Sequence, residues 1–139
     1  MEAAKVHLST RVRRGAELSS PGVVRDFLKV TLGDRDCEYF CLLLLDNRHR
    51  LLKFVELFRG TIDGASVYPR EVVRCVMEAN AAAVVLVHNH PSQVGEPSAA
   101  DELITRRLRT TLELIDVRVL DHLIVAGAEV ISLAERGLL

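Results

Sequence analysis

The chain has few aromatic residues and no long apolar segment. Tryptophan is absent and aromatic residues make up 4% of the 139 residues, which is too few for a platform that stacks the bases of single-stranded nucleic acid. Apolar runs such as Ala81 to Val87 are far shorter than the roughly 18 residues of a membrane span. Glu2, Lys5 and His7 interrupt the start of the chain, so no signal peptide is visible. We therefore expect a cytoplasmic protein with no membrane partner.

An excess of either charge is also missing. The chain carries 18 basic and 19 acidic residues, whereas a duplex-binding module usually shows a clear basic excess. Two groups of arginines, within residues 11–14 and 106–109, are interpreted as solvated faces, with a nucleic-acid site as the alternative. The three cysteines, Cys37, Cys41 and Cys75, form no C-x-x-C pair, so we expect free thiols in a reducing compartment. No strong nucleic-acid footprint is predicted.

The length and the apolar periodicity predict one domain of mixed helices and strands. Residues 1–18 show no strong period and are interpreted as a tail or a leading helix, and residues 19–139 as the domain. The pattern predicts, in order, a helix from Ser20-Pro21 to Gly33, a hairpin of strands 37–45 and 51–58, a helix from Tyr68, a buried strand 81–87, a helix from Ser98, and closing strands 117–125 and 130–132. The predicted fold class is therefore α/β (α+β), a mixed central sheet flanked by helices.

Two histidines at the end of the predicted central strand suggest a metal site. In a strand, residues i and i+2 point to the same face, so His88 and His90 can converge on one ion. Asp101, in the first turn of the next predicted helix, is the candidate third ligand, and such a set suits Zn²⁺ without excluding Fe²⁺ or Mn²⁺. The alternative is that Ser98 and Asp101 form a capping box and that the histidines are polar turn residues.

A second candidate is Glu56, on the predicted strand 51–58. Strict alternation places Leu52, Phe54, Glu56 and Phe58 on one face, and burial between two rings would raise the pKa of the carboxyl group. Such a group suits a general base that moves a proton near neutral pH. The alternatives are an exposed face or an ion pair with Arg59 or Lys53.

Other zinc signatures do not occur in the sequence. Neither H-E-x-x-H nor the deaminase pattern of H-x-E with P-C-x-x-C is present. We interpret His122, which follows Asp121 in a late strand, as half of a hydrogen-bonded structural pair and not as a metal ligand. The sequence therefore contains one candidate metal site.

The spacing of His88, His90, Ser98 and Asp101, with a glutamate upstream, resembles the JAMM (MPN-plus) metalloprotease signature. The closer resemblance is to the RadC family, and it covers about residues 19–139. It is carried by the segments Glu56-Leu57-Phe58-Arg59-Gly60-Thr61, Tyr68-Pro69-Arg70-Glu71, Asn80-Ala81-Ala82-Ala83, His88-Asn89-His90-Pro91-Ser92 and Val119-Leu120-Asp121-His122-Leu123.

The resemblance implies a cytidine-deaminase-like JAMM/MPN fold that binds one Zn²⁺ per chain. It implies His88, His90 and Asp101 as the ligands with a water as the fourth, Glu56 as the general base, and Ser98 as a stabiliser of the oxyanion. The implied function is a zinc-dependent hydrolase, a metallopeptidase or isopeptidase with a protein or peptide substrate. The alternatives are a non-hydrolytic protein of DNA repair or recombination, and a scaffold without turnover.

The chain departs from the family pattern at two places in the metal loop. Asn89 stands between the histidines where peptidases of the wider JAMM group have serine or threonine, although asparagine is usual in the RadC branch. Gln93 stands where a glycine usually follows Pro91-Ser92, and the sequence does not tell how this residue affects the geometry of the loop.

Overall fold

The computed structural model describes residues 21–60 and 67–139, so the predicted tail over residues 1–18 lies outside the described residues. The described elements are α1 (Pro21–Leu32), β1 (Tyr39–Leu45), β2 (Leu51–Arg59), α2 (Pro69–Ala79), β3 (Ala83–Asn89), α3 (Ala99–Glu113), β4 (Arg118–Ala126) and β5 (Glu129–Ser132). Among these helices, none is both long and apolar enough to cross a membrane.

The five strands form one mixed sheet in the order β2-β1-β3-β4-β5. β1 pairs antiparallel with both β2 and β3, and β5 pairs antiparallel with β4. β3 and β4 are parallel, so the chain must cross over between them, and α3 makes that connection. This confirms the predicted fold class.

The sheet has an apolar core on each face. β1 and β3 are apolar and buried along almost their whole length, as expected for central strands covered on both sides. Helix α1 packs on one face through Val24, Phe27, Leu28 and Leu32. Helices α2 and α3 cover the other face, and Val72, Val76, Leu108 and Leu112 are among their buried residues.

Strand β2 does not alternate as the sequence predicts. Phe40 and Cys41 pair with Phe58 and Glu56, so Leu57 is an extra residue that forms a bulge and reverses the alternation. Phe54 consequently packs toward α1, whereas Phe58 joins the core on the α2 and α3 face. The prediction of a single face shared by Phe54, Glu56 and Phe58 is therefore wrong.

Strand β3 also ends later than predicted. Its extended pairing continues through His88 and Asn89, and the backbone N–H of His90 donates to the carbonyl of Val125 at 2.8 Å. The parallel neighbour β4 holds this polar end of the strand straight. Regular strand geometry therefore sets the directions of His88 and Asn89.

Candidate metal centre

The carboxyl end of β3 and the first turn of α3 place three predicted ligands together. His88 is 3% exposed and Asp101 is 8% exposed, while His90 is half-buried, and all three line a cavity. His88 Nε2 lies 2.9 Å from His90 Nε2 and 3.0 Å from Asp101 Oδ1. His90 Nε2 lies 3.1 Å from Asp101 Oδ2. Four atoms that can bind a metal therefore converge on one small volume.

Glu38, which sequence reasoning did not select, completes this cluster. It directly precedes β1, and its Oε1 lies 3.8 Å from His88 Nε2. One ligand atom from each of Glu38, His88, His90 and Asp101 lies within 4.8 Å of the others. The signal that could have found Glu38 is the antiparallel pairing of β1 with β3, which puts the start of β1 beside the end of β3.

These residues fit a divalent metal ion. Ligand atoms around one tetrahedral Zn²⁺, with bonds of about 2.0–2.1 Å, lie about 3.3 Å apart. The distances of 2.9–3.1 Å among the nitrogens of His88 and His90 and the oxygens of Asp101 are close to that spacing. Imidazole and carboxylate donors suit Zn²⁺, Fe²⁺ or Mn²⁺. The geometry and the donors support a metal centre, and neither identifies the metal.

The structure places Glu56, the predicted base, away from the candidate metal centre, and this corrects the prediction that Glu56 acts there. Its register partner is Cys41, whose side chain belongs to the core under α1, on the opposite face of the sheet from His88. Its carboxylate accepts a hydrogen bond of 2.9 Å from Arg35, and its side chain is 38% exposed. The bulge at Leu57 is the physical reason, because it reverses the direction of the side chains that precede it.

The electrostatic environment distinguishes the carboxylates of the cluster. Burial by itself raises the pKa of Asp101, but its interactions with the imidazoles of His88 and His90 outweigh burial and hold that pKa well below its usual range. Burial raises the pKa of Glu38 despite the opposing effect of the two imidazoles. Hydrogen bonding to Asp101 raises the pKa of His90. Asp101 is therefore the permanent anion, and Glu38 is the carboxyl group that is easier to protonate.

Ser98 caps helix α3 and also lines the cavity. Its hydroxyl oxygen accepts from the backbone N–H of Asp101 at 3.0 Å, and Asp101 Oδ2 accepts from the Ser98 N–H at 2.8 Å. This is the capping box that the sequence suggested as an alternative to a metal site. The two are compatible, because a hydroxyl oxygen that accepts one bond keeps its proton to donate into the cavity.

Asn89 connects the metal loop to the segment that carries Glu38. Its side chain is 1% exposed, and its Oδ1 accepts from the N–H of Tyr39 at 2.8 Å. Its Nδ2 donates to the carbonyl of Cys37 at 3.0 Å. These two bonds hold the backbone on both sides of Glu38. Asparagine can do this because its side chain carries both a donor and an acceptor.

Gln93, whose effect on the metal loop the sequence left open, lies in a left-handed turn of that loop. Its φ is 65°, in the left-handed region that glycine adopts without strain, and its N–H donates to the carbonyl of His90 at 2.9 Å. Its side chain lies against Gly127, where an added Cβ would be only 3.3 Å from it. The loop therefore accommodates glutamine, with a backbone conformation that costs about 1 kcal/mol or more.

His122 does not form the side-chain pair with Asp121 that the sequence suggested. The Asp121 carboxylate accepts from the backbone N–H groups of His122 and Ala134 and from the hydroxyl of Ser132. The buried ring of His122 instead contacts His88, at 2.7 Å, and Thr105. Burial lowers the pKa of His122 well below its usual value, so the ring is neutral.

A cavity of about 690 Å³ opens beside the cluster. Its walls are mainly apolar, with a few charged groups. The lining includes Glu38, Phe40, Val67, His88, His90, Val94, Glu96, Ser98, Asp101, Leu103, Ile104 and Arg107. A few converging polar groups at the base of an apolar cavity are typical of a substrate site.

A mixed sheet flanked by three described helices, with a candidate metal centre at the end of a central strand, defines a domain of the JAB/MPN class. A family model described as RadC-like JAB domain matches residues 18–138, and the chain belongs to this family. The resemblance inferred from the sequence is thereby confirmed.

Relatives with high identity carry names that state no activity. The chain is 57% identical over 139 residues to the UPF0758 protein of Halorhodospira halophila, which covers 100% of this chain and 62% of that relative. It is 58% identical over 139 residues to a UPF0758 protein of Thioalkalivibrio sulfidiphilus, with the same coverage. The match to the UPF0758 protein of Aeromonas hydrophila is 55% over 137 residues, 99% of this chain and 61% of that relative. The chain thus spans about three-fifths of these relatives.

Proposed function

We propose that this domain is a zinc-dependent hydrolase of the JAMM type, acting as a metallopeptidase or isopeptidase on a protein or peptide. The observation that carries this proposal is the convergence of His88, His90 and Asp101 beside a fourth group, Glu38, in the lining of a cavity. Three protein ligands that leave a position open are the pattern of catalytic zinc sites. A bound Zn²⁺ lowers the pKa of a water molecule and polarises a carbonyl group.

Glu38 takes the role that the sequence assigned to Glu56. Its carboxylate is only 16% exposed and lies 3.8 Å from His88 Nε2, so it reaches the region where a water molecule and a substrate carbonyl would meet. Its raised pKa suits a group that accepts a proton from water and later delivers it to the leaving amine. Glu38 is therefore the proposed general base.

Ser98 is the proposed oxyanion donor. The capping box fixes its side chain on the helix that also carries Asp101, so its distance from the cluster is set by one turn of α3. The hydroxyl proton is directed by a bond that the oxygen already accepts. A donor held in this way stabilises negative charge on the substrate oxygen without having to reorganise.

The cavity supports a peptide substrate. Val94, Leu103 and Ile104 provide an apolar wall, and Glu96 and Arg107 provide one charge of each sign. Such a surface can accommodate an apolar side chain and the polar backbone of an extended peptide. All three cysteines of the chain are free thiols, which supports the further proposal that the domain works in the cytoplasm.

The test is an unbiased peptide-cleavage profile, measured by mass spectrometry on protein reconstituted with Zn²⁺. We expect cleavage that stops in chelator and returns when Zn²⁺ is restored. The Asp101→Asn variant should lose both metal and cleavage, because a neutral amide is a weaker ligand than a carboxylate. Zinc-loaded protein that cleaves no peptide or isopeptide library would contradict the proposal, as would cleavage that Asp101→Asn retains.

A further inference from the structure

We propose that His122 and Thr105 form a buried hydrogen-bond relay that fixes the tautomer and the direction of His88 as a metal ligand. The relay runs from His88 Nδ1 to His122 Nε2 at 2.7 Å, and from His122 Nδ1 to Thr105 Oγ1 at 2.5 Å. It ends where the Thr105 hydroxyl donates to the backbone carbonyl of Asp101 at 2.6 Å. This inference rests on metal binding in the proposed function and is independent of hydrolysis.

The first step follows from the two nitrogens of His88. Its Nε2 faces His90 and Asp101, so this is the atom that would bind the metal. A nitrogen that binds a metal carries no proton, so the neutral ring must carry its proton on Nδ1. The acceptor for that proton is His122 Nε2, the atom 2.7 Å away.

The second step follows from His122. Because its Nε2 accepts, its own proton must be on Nδ1, and that proton needs an acceptor. Thr105 Oγ1 is that acceptor, because the Thr105 hydroxyl donates its single proton to the Asp101 carbonyl, which can only accept. Every donor in the relay thus has one acceptor, and donation runs from His88 through His122 and Thr105 to the backbone carbonyl of Asp101.

Among the residues that the structure describes, the side chains of His122 and Thr105 have no hydrogen-bond partners outside the relay. His122 is completely buried and Thr105 is 1% exposed, so bulk water does not compete for these bonds. The ring of Phe40 packs against both imidazoles, with centroids 6.3 Å from His88 and 5.8 Å from His122. Asp121 bonds to backbone groups and a hydroxyl and not to the ring of His122. Thr105 therefore sets the direction of hydrogen-bond donation along the relay.

The opposite direction of hydrogen-bond donation would block the metal site. If the Thr105 hydroxyl donated to His122 Nδ1, His122 would donate from Nε2 to His88, and the proton of His88 would move to Nε2. That proton would face the atoms that would bind the metal. Partners that fix the tautomer of a ligating histidine usually change metal affinity about 10–100-fold when they are removed.

The first experiment measures Zn²⁺ affinity by competition with a chromophoric chelator. Thr105→Val keeps the shape of the side chain but loses the hydroxyl, and we expect roughly 10–100-fold weaker binding. Thr105→Ser restores the hydroxyl and should bind within roughly threefold of the parent, as expected if the hydroxyl and not the methyl group matters. Thr111→Val is the matched control, because Thr111 makes the same bond to the carbonyl four residues earlier, at 2.8 Å, on the same helix.

The second experiment reads the tautomers directly in the unmodified protein. Long-range ¹H–¹⁵N correlation spectra of the zinc-loaded chain should show His122 protonated on Nδ1 and unprotonated on Nε2. A proton on His122 Nε2 would overturn the relay, and so would Thr105→Val binding Zn²⁺ as tightly as the parent. A parent chain that binds Zn²⁺ with these tautomers but hydrolyses nothing would support the relay and contradict only the proposed hydrolase.

Discussion

Glu38 directly precedes β1 and Glu56 lies on the neighbouring strand β2, yet the structure gives them opposite surroundings. Glu38 is mostly buried and faces two imidazoles, and burial raises its pKa. Glu56 is exposed on the other face and is paired with Arg35. The comparison shows that the chemistry of a carboxylate is set by the face and the strand end it occupies, and not by the residues beside it in the sequence.

The largest expected effect is a loss of turnover, and it should occur for a substitution of Glu38 but not for one of Glu56. Glu38→Gln preserves shape but cannot accept a proton, so turnover of any peptide found by the cleavage profile should fall roughly 10²–10⁴-fold. Zn²⁺ should stay bound, because His88, His90 and Asp101 remain. Glu56→Gln is the matched variant and should leave turnover within a factor of two of the parent, on the order of ordinary surface substitutions.

The measurement is zinc content beside turnover for both variants. Loss of zinc in Glu38→Gln would make Glu38 a ligand instead of a base. Full turnover in Glu38→Gln, or its loss in Glu56→Gln, would reverse the comparison between the two residues.

The sequence predicts the parts of this fold that depend on local periodicity. The helix that begins at Pro21 has an apolar stripe of helical period, and the run before His88 is short and rich in valine, which favours a buried strand. His88 and His90 come together because they are two residues apart on an extended chain. Asp101 joins them because a short loop returns the chain to the end of that strand.

The general base depends on information that a local pattern does not contain. A single bulge at Leu57 reverses the face of Glu56, and nothing in the apolar alternation marks that residue as extra. Glu38 reaches His88 only because β1 pairs with β3, a contact between segments 50 residues apart in sequence. The relay through His122 also depends on strand pairing, because β4 places that ring beside His88.

Asn89 provides the next test, because it holds the backbone on both sides of Glu38. Asn89→Ala leaves the N–H of Tyr39 and the carbonyl of Cys37 without their partner, which should lower the free energy of unfolding by about 2–4 kcal/mol. Turnover should also fall, on the order of 10²-fold, because a displaced base loses its alignment. Chemical denaturation and zinc content check these outcomes.

Asn47→Ala is the control for that substitution. Asn47 lies in the exposed turn between β1 and β2, and its removal should change stability by less than about 0.5 kcal/mol. If Asn89→Ala were as stable and as active as the parent, Glu38 would be positioned by strand pairing alone.

Removing the metal should lower stability without a loss of the fold. A free Zn²⁺ concentration about 100 times the dissociation constant stabilises the fold by about 2.7 kcal/mol. For a domain of this size that corresponds to a rise of roughly 8–10 °C in melting temperature. The apo protein should stay folded, because the apolar cores on the two faces of the sheet do not depend on the cluster.

Thermal unfolding with and without Zn²⁺ measures this difference. Glu56→Gln should show the full zinc-dependent rise, and His90→Ala should show none, since it removes a ligand. An apo form that lacks secondary structure by circular dichroism would mean that the metal is required for folding.

The smallest expected effect is that of the ion pair between Glu56 and Arg35 on stability. Glu56 and Arg35 form a partly exposed ion pair at 2.9 Å, and Arg35 also stacks on the ring of Tyr39 at 4.6 Å. A double-mutant cycle with Arg35→Ala and Glu56→Ala isolates the pair from the stacking, and its coupling should be about 0.2–1 kcal/mol. It should shrink in 1 M salt, where the screening length is about 3 Å. A salt-independent coupling above about 2 kcal/mol, well beyond what exposed pairs contribute, would make Glu56 a buried structural charge and remove its contrast with Glu38.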